Sequence, residues 1–127
     1  MNPADCPPKF TKLIAVLAVQ DHKKSSEFYI DKLGFTADHV SDEWIMLQRD
    51  GARIHLGNCP DEKPASETGL HNWFATILVD NIYALEKEFS DKGVTFMRDL
   101  KDNGDDWIDF VVQTPDGHRL VFGHLKK

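Results

Sequence analysis

Two stretches of this 127-residue chain open and close on the same punctuation, one fixed distance apart. Val19-Gln20-Asp21 leads into a helix-like run that stops at Lys32-Leu33-Gly34, and Val79-Asp80 leads into another that stops at Asp91-Lys92-Gly93. The offsets agree (80 − 21 = 59 and 93 − 34 = 59), and β-rich sequence follows each stop. A chain of this length holds one domain with a real core and not two independent ones. The repeat therefore predicts an α+β fold of two βαβββ modules, forming a partly closed eight-stranded sheet with its helices on the outer face. Such a curved sheet can wrap a small molecule.

The punctuation places the elements. Lys12 to Val19 is an apolar run of strand length. Asp21 then caps a helix carrying Phe28, Tyr29 and Leu33 on one side, and Gly34 supplies the stop. Strands follow at Phe35 to Val40, Trp44 to Arg49 and Ala52 to Gly57, with Asp50-Gly51 as a hairpin turn. In the second half the strand is Asn72 to Val79, Asp80 caps a helix built on Ile82, Leu85 and Phe89, and strands are expected at Val94 to Met97, Trp107 to Gln113 and His118 to Leu125. Thr114-Pro115-Asp116-Gly117 is a turn with proline second and glycine fourth. Asp99 to Asp106 reads as a polar, mobile loop. The expected organisation is a flexible arm over residues 1–11 and a single domain over 12–125, divided into module one (12–58), a linker (59–70) and module two (71–125).

Charge and composition exclude whole classes of partner. The formal charge is −6 with no long basic run, so nucleic acid is not an expected partner. A cationic small molecule is favoured instead by the long-range field. No apolar stretch reaches the ~18 residues of a membrane span, and the N-terminus carries no signal-peptide core, so a cytoplasmic location is expected. Cys6 and Cys59 have no metal-binding spacing and are expected as reduced thiols, a disulfide between them being the alternative.

Alternation along the strands separates two faces. One set is almost wholly apolar (Leu13, Ala15, Leu17 and Val19, with Ile54, Leu56, Ile77, Ile108, Phe110 and Leu120 among its counterparts) and should face the helices. The opposite set mixes aromatic and polar groups: Trp44, Met46, Gln48, Arg53, His55, Phe74, Thr76, Trp107, Asp109, Arg119 and Val121. A ligand cavity needs that mixture. A flat heteroaromatic group between His39, Trp44 and Trp107 would bury apolar area at little side-chain entropy cost, with Glu43, Asp105, Asp106 and Asp109 at the rim to attract a cationic tail. Trp73, of opposite parity to Phe74, is read as structural.

Ser25-Ser26-Glu27-Phe28-Tyr29 followed by Lys32-Leu33-Gly34-Phe35 resembles the S-x-x-F-Y…L-G-F signature of the vicinal oxygen chelate superfamily. Thr114-Pro115-Asp116-Gly117-His118 resembles its turn before the last strand, and the doubled module matches over roughly residues 12 to 125. The superfamily includes glyoxalase I, extradiol dioxygenases, fosfomycin-modifying enzymes and bleomycin-resistance binding proteins, so fold alone leaves function open. The resemblance implies a divalent-metal position on each of four strands, which fall here on Ile14, His55, Phe74 and Val121. Three of these have no lone pair to donate, and a stable site needs about three protein ligands. No metal, cofactor or catalytic residue is therefore expected. His71, His118 and His124 do not converge with His55 on one face.

Loss of the metal is what the resemblance implies for the bleomycin-resistance branch. Residues 35–44 are similar to that branch's stretch after L-G-F, where aromatic residues line the drug groove at the places of His39 and Trp44. Asp106-Trp107-Ile108-Asp109-Phe110 resembles its P-W-G-x-E-F segment, whose tryptophan stacks on the drug's planar tail. The expectation is a metal-free, antibiotic-resistance type of binding protein that sequesters a flat, cationic small molecule in an aromatic–acidic groove. The ligand-binding residues would be His39, Glu43, Trp44, His55, Trp107 and Asp109, with the groove at a homodimer interface, as the resemblance implies. The alternative is a metal-dependent glyoxalase-like lyase or antibiotic-modifying transferase of the same fold.

Overall fold

The computed structural model describes residues 2–102 and 104–126, with the side chain of His71 outside the description. Met1 of the expected arm and Asn103 of the expected loop therefore lie outside the described residues. Module one runs β1 (Ala15–Val19), α1 (His22–Asp31), β2 (Thr36–Val40), β3 (Trp44–Arg49) and β4 (Ala52–Asn58). Module two runs β5 (Trp73–Leu78), α2 (Ile82–Asp91), β6 (Phe96–Asp102), β7 (Trp107–Gln113) and β8 (Arg119–Leu125). Each module is a four-stranded sheet, in the orders β1-β4-β3-β2 and β5-β8-β7-β6, with the first and last strands of each module parallel. The two sheets approach through β1 and β5, with no hydrogen-bonded ladder joining them among the described residues. The eight strands thus divide into two open four-stranded sheets.

The repeat is visible in the caps. Asp21 Oδ1 accepts from the Lys24 amide at 3.2 Å, and Asn81 Oδ1 accepts from the Ala84 amide at 3.2 Å. The second cap is thus Asn81 and not Asp80, one residue later than the spacing indicates. Gly34 and Gly93 end the two helices, both at φ 77°, a left-handed conformation that glycine adopts without a Cβ penalty.

The core lies between helices and sheets and is shared by both modules. It includes Leu17, Tyr29, Leu33, Leu47, Ile54 and Leu56 from the first, and Leu85, Phe89, Phe110, Leu120 and Phe122 from the second. Phe89, Phe110 and Phe122 pack ring against ring at 5.2–6.0 Å. The α1 interface is unlike the α2 interface, because His22, Ser25 and Ser26 are buried beside Tyr29. Small side chains there let the helix backbone sit close to the sheet. Arg49 on β3 joins the modules through a two-pronged ion pair with Glu88 on α2 (2.7 and 2.9 Å), and donates to the Leu33 carbonyl at 2.9 Å.

Two expectations need correction. Leu13 is not on the core face: β1 starts at Ala15 and Leu13 is 90% exposed. The stretch Asp99 to Asp106 is in large part strand, since β6 extends to Asp102, and Lys126 pairs with Asp102 at 3.0 Å. The linker has structure of its own. It contains short 3-10 turns at Ala65–Glu67 and Gly69–Asn72, buries Ala65, and seats the Ser66 backbone against Gly117, where an added Cβ would stand 2.2 Å from the Ser66 amide nitrogen. Within the expected arm, Pro3–Asp5 forms a 3-10 turn. Cys6 and Cys59 are not disulfide-bonded. No helix among the described residues is long and apolar enough to cross a membrane.

Candidate functional site

The face away from the core is built from alternate residues, and its largest side chains occupy matched places in the two modules. Trp44 and Trp107 each begin the third strand of their module. Each indole lies over a glycine of the fourth strand. A Cβ added to Gly57 would stand 3.1 Å from Trp44 Cζ3, and one added to Gly123 would stand 2.1 Å from Trp107 Cζ2. Trp44 is 38% exposed and Trp107 is half-buried. Glycine inside a strand pattern is the sequence signal that marks such a close approach by another group.

Around Trp107 the polar groups are tightly partnered. Its indole Nε1–H donates to Asp109 Oδ2 at 2.8 Å, and the other oxygen of that carboxylate accepts from the Arg98 guanidinium in an ion pair. Asp109 is 9% exposed. It is therefore no open acidic rim, because its charge is already met by Arg98. Asp105 Oδ1 accepts from the Trp107 amide at 2.9 Å. No sequence pattern singles out Arg98, because its approach to Asp109 depends on irregularities in the β6–β7 ladder on both sides of it.

On module one, His39, Met46 and His55 form a row across β2, β3 and β4, with Val16 of β1 next to His55. His39 is exposed, whereas His55 is half-buried with its Nε2 unpartnered among the described residues. Glu43 is exposed in the turn before Trp44. Beside the row, the Arg53 guanidinium contacts Asp38 at 2.6 Å and holds that carboxyl below the usual carboxylate range. The structure thus gathers His39, Trp44 and His55, with Glu43 at their edge, on one sheet, and Trp107 with Asp109 on the other. Among the described residues no hydrogen bond, ion pair or ring contact joins the two groups within the chain.

The positions where the fold family carries a metal do not suit one. Ile14 precedes β1, Val121 lies between Thr76 and Val111, and Phe74 meets the buried ring of His118 edge-on at 4.7 Å. His55 is the one donor among the four positions. Among the described residues no three His, Cys, Asp or Glu side chains gather closely enough to hold an ion. A shallow hollow of about 300 Å³ lies there instead, lined by Trp73, Phe74, Ala75, Thr76 and Val121. Trp73 is not a core residue: it is 47% exposed, with the Arg119 guanidinium 4.9 Å from its ring centre. A second hollow, of about 520 Å³, lies between the modules, where Leu33, Phe35, Ile77 and Leu85 line it beneath the Arg49–Glu88 pair.

Paired βαβββ modules with aromatic side chains on the face away from the core define the class. The chain belongs to the Glyoxalase/Bleomycin resistance protein/Dioxygenase superfamily, whose family profile matches residues 13–122. Among its relatives, the bleomycin resistance proteins of Geobacillus stearothermophilus and Staphylococcus aureus are each 35% identical, over 86% of this chain and 92% of theirs. Among solved structures, the bleomycin resistance determinant encoded on transposon Tn5 superposes with a TM-score of 0.77 at 18% identity, covering 93% of this chain and 100% of that one. The bleomycin-binding protein of Streptomyces verticillus, complexed with copper(II)-bleomycin, superposes with a TM-score of 0.74 at 22% identity, covering 91% and 97%. At those identities the structural likeness carries the fold.

Proposed function

We propose that this protein binds a flat, cationic, heteroaromatic antibiotic of the bleomycin type without metal and without covalent change, protecting by mass action. The observation that carries this reading is the matched pair of partly exposed indoles, each seated over a strand glycine on the face away from the core. Rigid aromatic platforms of that kind accept planar guests through offset stacking, worth about 0.5–1.5 kcal/mol per ring pair beyond the buried area. His39 and His55 extend the module-one wall, Glu43 supplies negative charge at its edge, and Asp109 supports the module-two wall. The 35% identity to bleomycin resistance proteins supports the choice of ligand class.

The two walls lie on separate sheets of one chain, and the groove forms where module one of one copy faces module two of another, in a cytoplasmic homodimer. Exposed Val16, Phe74 and Leu78 on β1 and β5 supply apolar surface for that contact. Titration of the purified protein with bleomycin, followed by tryptophan emission, tests the ligand. Saturable quenching is expected, and no response at tens of micromolar removes this drug class. Light scattering at micromolar concentration tests the assembly, and a monomer there removes the shared groove. A stoichiometric metal lost in His55→Ala would overturn the metal-free reading and support the enzymatic alternative.

A further inference from the structure

The two tryptophan seats are alike in backbone and unlike in chemistry. Two residues beyond Trp44 on its strand stands Met46, while two residues beyond Trp107 stands Asp109. Alternation places each of these on the same face as its indole. Trp107 therefore has a carboxylate acceptor at 2.8 Å, whereas the Trp44 indole nitrogen has no hydrogen-bond partner among the described residues.

Burying a carboxylate on the face away from the core needs a reason. An ion pair taken out of water recovers little net stability and contributes geometry instead. Here the geometry is specific. Arg98 stands opposite Val111, and ladder irregularities on both sides of it alter the regular side-chain spacing of β6 as it reaches diagonally to Asp109. Arg98 also donates to the Asp99 carbonyl at 3.2 Å, which anchors its own head group. The carboxylate thus bridges a guanidinium on β6 and an indole on β7, while Gly123 on β8 removes any side chain beneath the ring. Three strands fix one ring.

We infer that Arg98 and Asp109 are positioning residues which hold Trp107 as a rigid stacking wall, leaving Trp44 as an adaptable one. This deepens the proposed binding function and rests on it for the ligand. It also redirects the ligand's charge: with Asp109 engaged by Arg98, a cationic tail is drawn towards Glu43 and Asp105.

The test reads the indole N–H directly. In the wild-type protein the Trp107 Nε1–H resonance should exchange with solvent at least about ten-fold more slowly than that of Trp44, because only the former is hydrogen-bonded. Asp109→Leu and Arg98→Met should each speed Trp107 exchange while leaving Trp44 unchanged, and each should weaken bleomycin binding about ten-fold; Arg98→Lys should restore most of both. Should Asp109→Leu fail to fold, Asp109→Ala and Arg98→Met carry the same readout. Unchanged exchange overturns the inference, and so does altered exchange with unaltered affinity. Wild-type protein that ignores bleomycin refutes the ligand assignment instead, and Trp107 exchange in the unliganded variants then decides the positioning role by itself.

Discussion

At the scale of single residues, the two strand glycines make a graded prediction. Gly123→Ala puts a methyl group 2.1 Å from the Trp107 ring and must displace it, whereas Gly57→Ala meets Trp44 at 3.1 Å and needs only a small adjustment. Overpacking of the first kind costs about 1–3 kcal/mol. Urea denaturation should show Gly123→Ala clearly destabilised and Gly57→Ala within a few tenths of a kcal/mol of wild type. His118 makes a pH prediction. Its ring is buried against Phe74, and burial lowers its pKa below the ordinary histidine value. Between the folded and unfolded values the unfolded chain binds more protons, so this contribution is full above about pH 6.5 and shrinks as pH falls. The wild-type melting temperature should therefore drop more steeply than that of His118→Gln between neutral pH and pH 5. Residue chemistry of this kind was only half legible in the sequence. Parity put Trp44, Trp107 and Asp109 on one type of face, but the partners of Asp109 depend on where β6 bends, and no alternation pattern records a bend.

At the scale of elements, the caps discriminate between sequence and structure most cleanly. A side-chain cap is worth about 0.5–2 kcal/mol. Asn81→Ala should lose that amount, because Asn81 accepts from the Ala84 amide, while Asp80→Ala should change thermal stability little. Asp80 looked like the cap because it matches Asp21 in the repeat. The helices themselves are offset by 60 residues and the terminating glycines by 59, so the modules differ by one residue at the helix end (82 − 22 = 60 and 93 − 34 = 59). A duplicated spacing fixes order and type of element and leaves a one-residue freedom at each boundary. The extension of β6 to Asp102 escaped for a different reason. Phe96 to Asp102 reads as polar because an edge strand can bury little and keep its charges in water. Composition there reports exposure and is silent on hydrogen bonding.

At the scale of the whole molecule, Arg49 and Glu88 hold the modules together across the hollow between them. Arg49, hydrogen-bonded to both Glu88 oxygens, pulls that carboxyl below its ordinary range. A depressed carboxylate contributes stability above its unfolded value, near pH 4.5, and that contribution is lost as pH falls through the folded value. Both side chains are about one third exposed, so solvent screening keeps the effect small. Glu88→Gln should lower the melting temperature at pH 7 by a few degrees at most, and wild type and variant should converge below pH 4. The doubled architecture was legible because punctuation and alternation are local properties of a strand or helix. The joint was not, since Arg49 and Glu88 are 39 residues apart and neither lies in a motif (88 − 49 = 39).

The seat of Ser66 on Gly117 has a consequence for how this chain could be divided. A protease or an engineered break at residues 60–63 would leave the Ala65–Glu67 turn attached to the second half, docked on the β7–β8 corner, and complementary fragments cut there should reassociate. A break after Ser66 would sever that docked piece from the half it rests on. Nicking should therefore be tolerated on one side of Pro64 and ruinous on the other, within a stretch of fewer than ten residues.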